Sequence, residues 1–274
     1  MKLVEIARQQ FILLIRSKWI YSFGLLFTIL AIVIVSFGDS FSAGNSGFNR
    51  TSASLLNLNL FLIPLVSLLM GSLFISGEKE DQGLLLLLTY PVSVHKVILG
   101  KFLGLCLALW TVLSAGYGIS AWFMYFFQPD GSLAFLFTFY FLSILLGFIF
   151  LSISVLVGFL SKSRFQALGM TLMSWALFVL FYEFIVMGLT MLVHKAWILP
   201  VFSLSILLNP VELIRVWSIL LLKGEAVFGP SLYDLTIWAK NIVGQFLFIL
   251  SAMLWIVLPL LVSLLVIQRR VANE

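Results

Sequence analysis

Residues 77–101, GEKEDQGLLLLLTYPVSVHKVILGK, separate two long apolar runs and carry the clearest polarity plan in the chain. Four charged residues, Glu78, Lys79, Glu80 and Asp81, open the stretch, and Gly83 breaks the charged run. Leucines 84–88 follow, Pro91 turns the chain, and Lys96 and Lys101 close it. Crossing a bilayer takes roughly 20 apolar residues, so this leucine run is too short to span. Held between charged ends, it predicts a helix at the membrane surface, charge toward water and leucine toward lipid or protein. A plain connection between two spans needs fewer residues, so the length points to a docking element. The competing reading is a solvated loop, the usual fate of a charge run.

Composition sets the class. The 274 residues are 62% hydrophobic and 10% charged, with a mean hydropathy of +1.16. Soluble domains carry about 25% charged residues, so the chain reads as an integral membrane protein. The net charge of +5 is then a topology signal and not a nucleic-acid signal, because Lys and Arg gather on the cytoplasmic side. One cysteine, Cys106, leaves no intramolecular disulfide and no thiolate metal cluster. Charges scattered through the first 19 residues, with no small-residue cleavage site, argue against a cleavable signal.

Uncharged runs place six spans, at about 19–38, 55–76, 102–127, 133–160, 165–193 and 243–267. Residues 2–16 set Lys2, Glu5, Arg8 and Arg16 against Leu3, Ile6, Phe11 and Leu14, which predicts an amphipathic helix in the inner interface; a frayed basic tail is the alternative. Segment 194–242 is harder. Residues 196–208 are apolar but too short to cross, and Asn209-Pro210-Val211-Glu212 starts a helix, with a capping Asn and Pro at its first position. Two short helices dipping into the outer leaflet are expected, against a rival single span broken by charge. With six spans and the N-terminus inside, eleven of the 16 Lys and Arg residues fall on the inner side and five on the outer. A seventh span would send Arg269 and Arg270 outside, against the positive-inside bias.

Catalytic motifs are missing. No GxxxxGK[ST], HExxH or paired-cysteine pattern occurs. Glu183 is an acid inside a predicted span, where a charge costs about 2.5–3.5 kcal/mol, so it should face protein or a cavity. It reads as a helix-pairing or gating contact with Arg215, or as a hydrogen-bonded carboxyl without a mechanistic role. Met187, Met191 and His194 share one helical face at i, i+4 and i+7. Thioethers and imidazole suit Cu(I), although Met is also an ordinary helix filler.

At the opening stretch the chain resembles the permeases of the ABC-2 superfamily. Their pattern GE-x-E-x-GT-LxLLL-xxP-[VI]-S-R-xxxLLGK is matched by Gly77, Glu78, Glu80, Gly83, leucines 85–88, Pro91, Val92, Ser93, Gly100 and Lys101. Leu84 stands where Thr is usual, and Val94 where Arg is usual. LLLLLTYP (84–91), LGKF (99–102), Glu183, LLNPVELIR (207–215) and the N-terminal IARQQ…RSKW resemble a narrower branch, which serves copper-site assembly in nitrous oxide reductase. A generic ABC-2 exporter of lipid, drug or ion is the alternative. The resemblance implies an all-α membrane protein forming a single ABC-2 transmembrane domain. It has six spans, an N-terminal amphipathic helix, a cytoplasmic coupling helix between spans 2 and 3, and short outer-leaflet helices between spans 5 and 6. It implies a non-catalytic subunit in a bacterial inner membrane, with both termini cytoplasmic. The expected partners are a second copy of the chain, a cytoplasmic ATPase dimer that binds ATP and Mg, and a periplasmic protein; the chain itself binds no cofactor. Coupling to the ATPase falls to Glu78, Lys79, Glu80, Asp81, Gly83, Pro91, Lys96 and Lys101. Contact with the periplasmic partner falls to Asn209, Pro210, Glu212 and Arg215.

Overall fold

The computed structural model describes residues 3–37, 48, 50–83, 93–127, 133–194, 197–229 and 233–273, and among them there is no strand. The leucine run, Pro91 and the turn at 128–131 lie outside the described residues. In chain order the helices are α1 (Leu3–Ile15), α2 (Lys18–Phe37), α3 (Arg50–Glu80), α4 (Val94–Phe127), α5 (Leu133–Leu160) and α6 (Arg164–Ala176). A π turn, Leu177–Phe181, joins α6 to α7 (Tyr182–Leu192). Then come α8 (Ile198–Leu208), α9 (Pro210–Leu221), a 3-10 turn (Glu225–Phe228), α10 (Tyr233–Lys240) and α11 (Ile242–Asn273). Five are long and apolar enough to cross a membrane: α3, α4, α5, the continuous Arg164–Leu192 and α11. Two bent pairs, α1–α2 at 68° and α8–α9 at 109°, bring the candidates to as many as seven.

The helices bounding the opening stretch are longer than their apolar cores. At 1.5 Å per residue, the 34 residues of α4 reach about 51 Å, well beyond the ~30 Å of hydrocarbon. Residues 94–101 therefore belong to α4, and Glu78 to Glu80 form the last turn of α3. This corrects the reading of 77–101 as one separate segment. Intrahelical hydrogen bonds keep the helix going past the last apolar residue, because nothing before Gln82, at φ 58°, breaks the right-handed conformation.

α5 sits at the centre. It is apolar around its whole circumference, as a helix enclosed by others should be. Small residues let its neighbours approach. A side chain at Gly71 of α3 would meet the Ser154 Oγ at 1.8 Å, and one at Gly147 of α5 would meet Leu109 of α4 at 2.4 Å. Polar contacts tie the same layer. Asn59 Nδ2 donates to the Tyr117 hydroxyl at 2.7 Å, and that oxygen lies 2.7 Å from Ser143 Oγ, joining α3, α4 and α5.

α1 is amphipathic, but its buried face of Ile6, Ala7, Gln10 and Leu14 packs into protein. The seat is Gly100-x-x-x-Gly104 on α4, where added side chains would lie 2.9 Å from Ile6 and 2.6 Å from Gln10. The helix expected to lie in the interface thus rests on α4, and Glu5 and Arg8 face outward.

Side-chain hydrogen bonds tie down the backbone at the α8–α9 bend. Asn209 caps α9 by accepting from Val211 N at 2.8 Å, and Pro210 occupies the first helical position. The Leu207 carbonyl at the end of α8 accepts from Ser251 at 2.8 Å and from Trp255 at 3.2 Å, both on α11. Asn209 Nδ2 also donates to Phe178 O at 2.9 Å, inside the π turn.

Candidate functional site

One turn of α3 reaches three neighbouring helices, because successive helical side chains point about 100° apart. Glu78 pairs with Lys101 of α4, whose side chain is buried. Lys79 Nζ donates to Phe159 O at 3.2 Å and to Ser161 O, carbonyls at the C-terminal end of α5 that lack helical partners. Glu80 accepts from the backbone N of Arg164 at 2.9 Å, and Asp81 pairs with the Arg164 guanidinium. That guanidinium lies over Gly77, where a Cβ would come within 2.8 Å of Arg164 Nε. The four charges form a clamp holding the ends of α3, α4, α5 and α6 together.

A second charged group lies farther along the span that begins at Arg164. Glu183 is 19 residues on, about 28 Å by helical rise. It pairs with Arg215 of α9, and Arg215 also meets Glu212 at 3.2 Å. The group borders a cavity of about 260 Å³ whose walls include Met187, Phe202 and Phe228. Arg215 Nε is buried and has no hydrogen-bond partner. Two carboxylates around one guanidinium bind α7 to α9. Among the described residues no group of three or more His, Cys, Asp and Glu side chains could hold a metal.

A family model described as ABC-2 family transporter protein matches residues 4–271. The chain belongs to that family. Two relatives are each named probable ABC transporter permease protein NosY. The one from Stutzerimonas stutzeri is 31% identical over 273 residues, which covers 97% of this chain and 98% of the relative. The one from Pseudomonas aeruginosa is 33% identical over 246 residues, covering 86% of this chain and 88% of the relative. This ABC-2 chain is therefore similar to NosY permeases along almost its whole length.

Against that background the residues expected to couple an ATPase divide in two. Glu80, Asp81, Gly83 and Lys96 are exposed, whereas Lys101 is buried and Glu78 and Lys79 are half-buried in contacts within the chain. These three hold helices together within the chain. Arg164, which closes the clamp, was not legible as a site residue, since its partners lie 83 and 84 residues away. Asn209 and Pro210 are buried within the chain and fasten the bend, while Glu212 and Arg215 border the cavity. Met187 borders it too, and Met191 is exposed. The shared face expected of Met187, Met191 and His194 needs a helix through 194; α7 stops at Leu192, and Val193 is extended at φ −90°, ψ 139°.

Proposed function

We propose that this ABC-2 permease is the membrane subunit of an ATP-driven transporter serving copper-site assembly of nitrous oxide reductase. It would work as a homodimer with a dimeric, NosF-like cytoplasmic ATPase and a NosD-like periplasmic protein. The observation that carries the reading is the reach of the similarity to NosY, nearly the whole of both chains, rather than the opening motif alone. No P-loop sequence occurs in the chain, and in this reading the energy would come from another subunit, which would bind ATP and Mg. Six spans follow if α2 crosses and α8–α9, bent by 109°, turns back within one leaflet. With the inner bias of Lys and Arg, the clamp and both ends of the chain would then lie in the cytoplasm. In the proposed homodimer a second copy would cover Arg164–Leu192, which is 6% buried over its membrane-length window, the least of the five spans.

The geometry suggests how a push would travel. Residues 84–92 lie between the last turn of α3 and the start of α4. Force applied there meets the clamp, which reaches Arg164 at the base of α6. The same continuous span carries Glu183, whose link to Arg215 reaches the re-entrant α9. Motion on the ATPase side would thereby tilt the helices facing the periplasmic partner, either moving a cargo or passing a conformational signal.

The test is to isolate the chain from native membranes in gentle detergent and identify what accompanies it by mass. An ATPase and a periplasmic protein in equal amounts are expected. An ATPase alone would favour a generic exporter of lipid, drug or ion, and neither partner would overturn the reading.

A further inference from the structure

We propose that the groove between α2 and α4 is a binding site for one anionic phospholipid, with an acyl chain in the groove and the phosphate held by Arg16 and Lys18. The groove has a volume of about 540 Å³, within the range of about 300–1,000 Å³ typical of ligand pockets. Its walls include Ile15, Ile20, Gly24, Thr28, Thr111 and Ala115. The two threonines do not make it polar. Thr28 Oγ1 donates to Gly24 O at 2.7 Å, and Thr111 Oγ1 to Ala108 O at 2.8 Å, so both hydroxyls are spent on their own helices. What remains, apart from Tyr21 near its charged end, is an apolar slot open along one side, which fits a hydrocarbon chain. Its floor is shallow because Gly24 brings α2 against α4, where a Cβ would stand 3.0 Å from Val112.

The head-group end is marked by charge. Arg16 and Lys18 sit at the 68° bend between α1 and α2, within a few residues of the wall residues Ile15 and Ile20. Both are exposed, and neither makes an ion pair among the described residues. At the same end Lys101 and Arg164 are held in the clamp, while Lys96 and Lys162 are exposed but do not line the groove. Trp19 and Tyr21, 40% and 61% exposed, set the level of the membrane–water interface beside them. Two unpaired cations at the interface above an apolar slot match a negative head group joined to a fatty chain. A zwitterionic lipid would fill the slot but leave the cations unanswered.

The experiment is native mass spectrometry of the full-length permease after exchange into phosphatidylglycerol or phosphatidylcholine of identical chains. One phosphatidylglycerol should be retained about tenfold or more over phosphatidylcholine, the size expected from two basic residues near an anionic head group. Ala115→Phe, an exposed wall position, should abolish retention of both lipids. Arg16→Gln with Lys18→Gln should keep a lipid but lose the head-group preference. Gly118→Phe, exposed on α4 outside the groove, should match the wild type and serves as the folding reference. Retention of phosphatidylglycerol by Ala115→Phe, or an unchanged preference in the charge variant, overturns the proposal. So does a loss of dimer in Ala115→Phe with lipid retention intact, which would assign the groove to a second copy of the chain.

Discussion

A lysine ammonium such as Lys101, almost without contact with water, is tolerable only while Glu78 answers it. Removing one partner of a buried pair costs about 3–5 kcal/mol, and Glu78, still 26% exposed, puts this pair at the lower end. Lys101→Met and Glu78→Gln should each lower the melting temperature of the detergent-solubilised permease markedly, and Glu78→Leu with Lys101→Met should recover most of the loss. Equal losses that simply add in the double variant would mean the pair does not interact. Asn209 works differently, through an amide with both ends used internally. Asn209→Ala should cost about 1–3 kcal/mol through the lost cap on Val211 N and the lost donor to the Phe178 carbonyl, leaving partner association unchanged. Thermal unfolding and co-purification read these separately. The role of Asn209 as a cap was legible in its sequence, because Asn-Pro before an apolar run has one local meaning. Its second bond to Phe178 was not, since that carbonyl lies 31 residues away in a π turn with no sequence mark.

At the scale of the element, α1 is held by shape. Gly100 and Gly104 leave a shallow track on α4, and the Ala7 carbonyl would lie 2.7 Å from a Cβ at Gly104. A backbone atom cannot step aside as a side chain can, so Gly104→Val should unseat α1 without unfolding the spans. A cysteine placed at Leu14, 0% exposed in the native chain, should react with a water-soluble maleimide in that variant and stay protected with Gly104 present. Protection in both would place the seat of α1 elsewhere. The amphipathic pattern of residues 2–16 gave away a helix with one apolar face, but not what that face would meet. Lipid and a glycine track are equally apolar, and periodicity does not distinguish them. The ends of α3 and α4 were obscured for a related reason: hydropathy marks where the hydrocarbon stops, and a helix stops only where its hydrogen bonds do.

Across the whole molecule, the class, the membrane setting and the family were legible from composition and one motif, whereas the wiring was not. The charge run looks locally like any solvated connection. Only the fold shows that it grips three other helices, and that one of them continues for about 28 Å to a second ion pair. The end of α3 is an internal clamp on α4, α5 and α6, and in the proposed function it is the element that would pass an ATPase's motion into the bundle. The most direct measurement is ATP hydrolysis by the reconstituted complex with the native permease, with Arg164→Glu, and with Arg164→Glu joined to Asp81→Arg. The exposed half of the clamp is worth only about 0–1 kcal/mol, so the protein should remain folded in each case. The account predicts that Arg164→Glu keeps the ATPase bound but abolishes its coupling to the permease, and that the charge exchange restores it. Coupling that survives Arg164→Glu unchanged, or that the exchanged pair fails to restore at all, would contradict it.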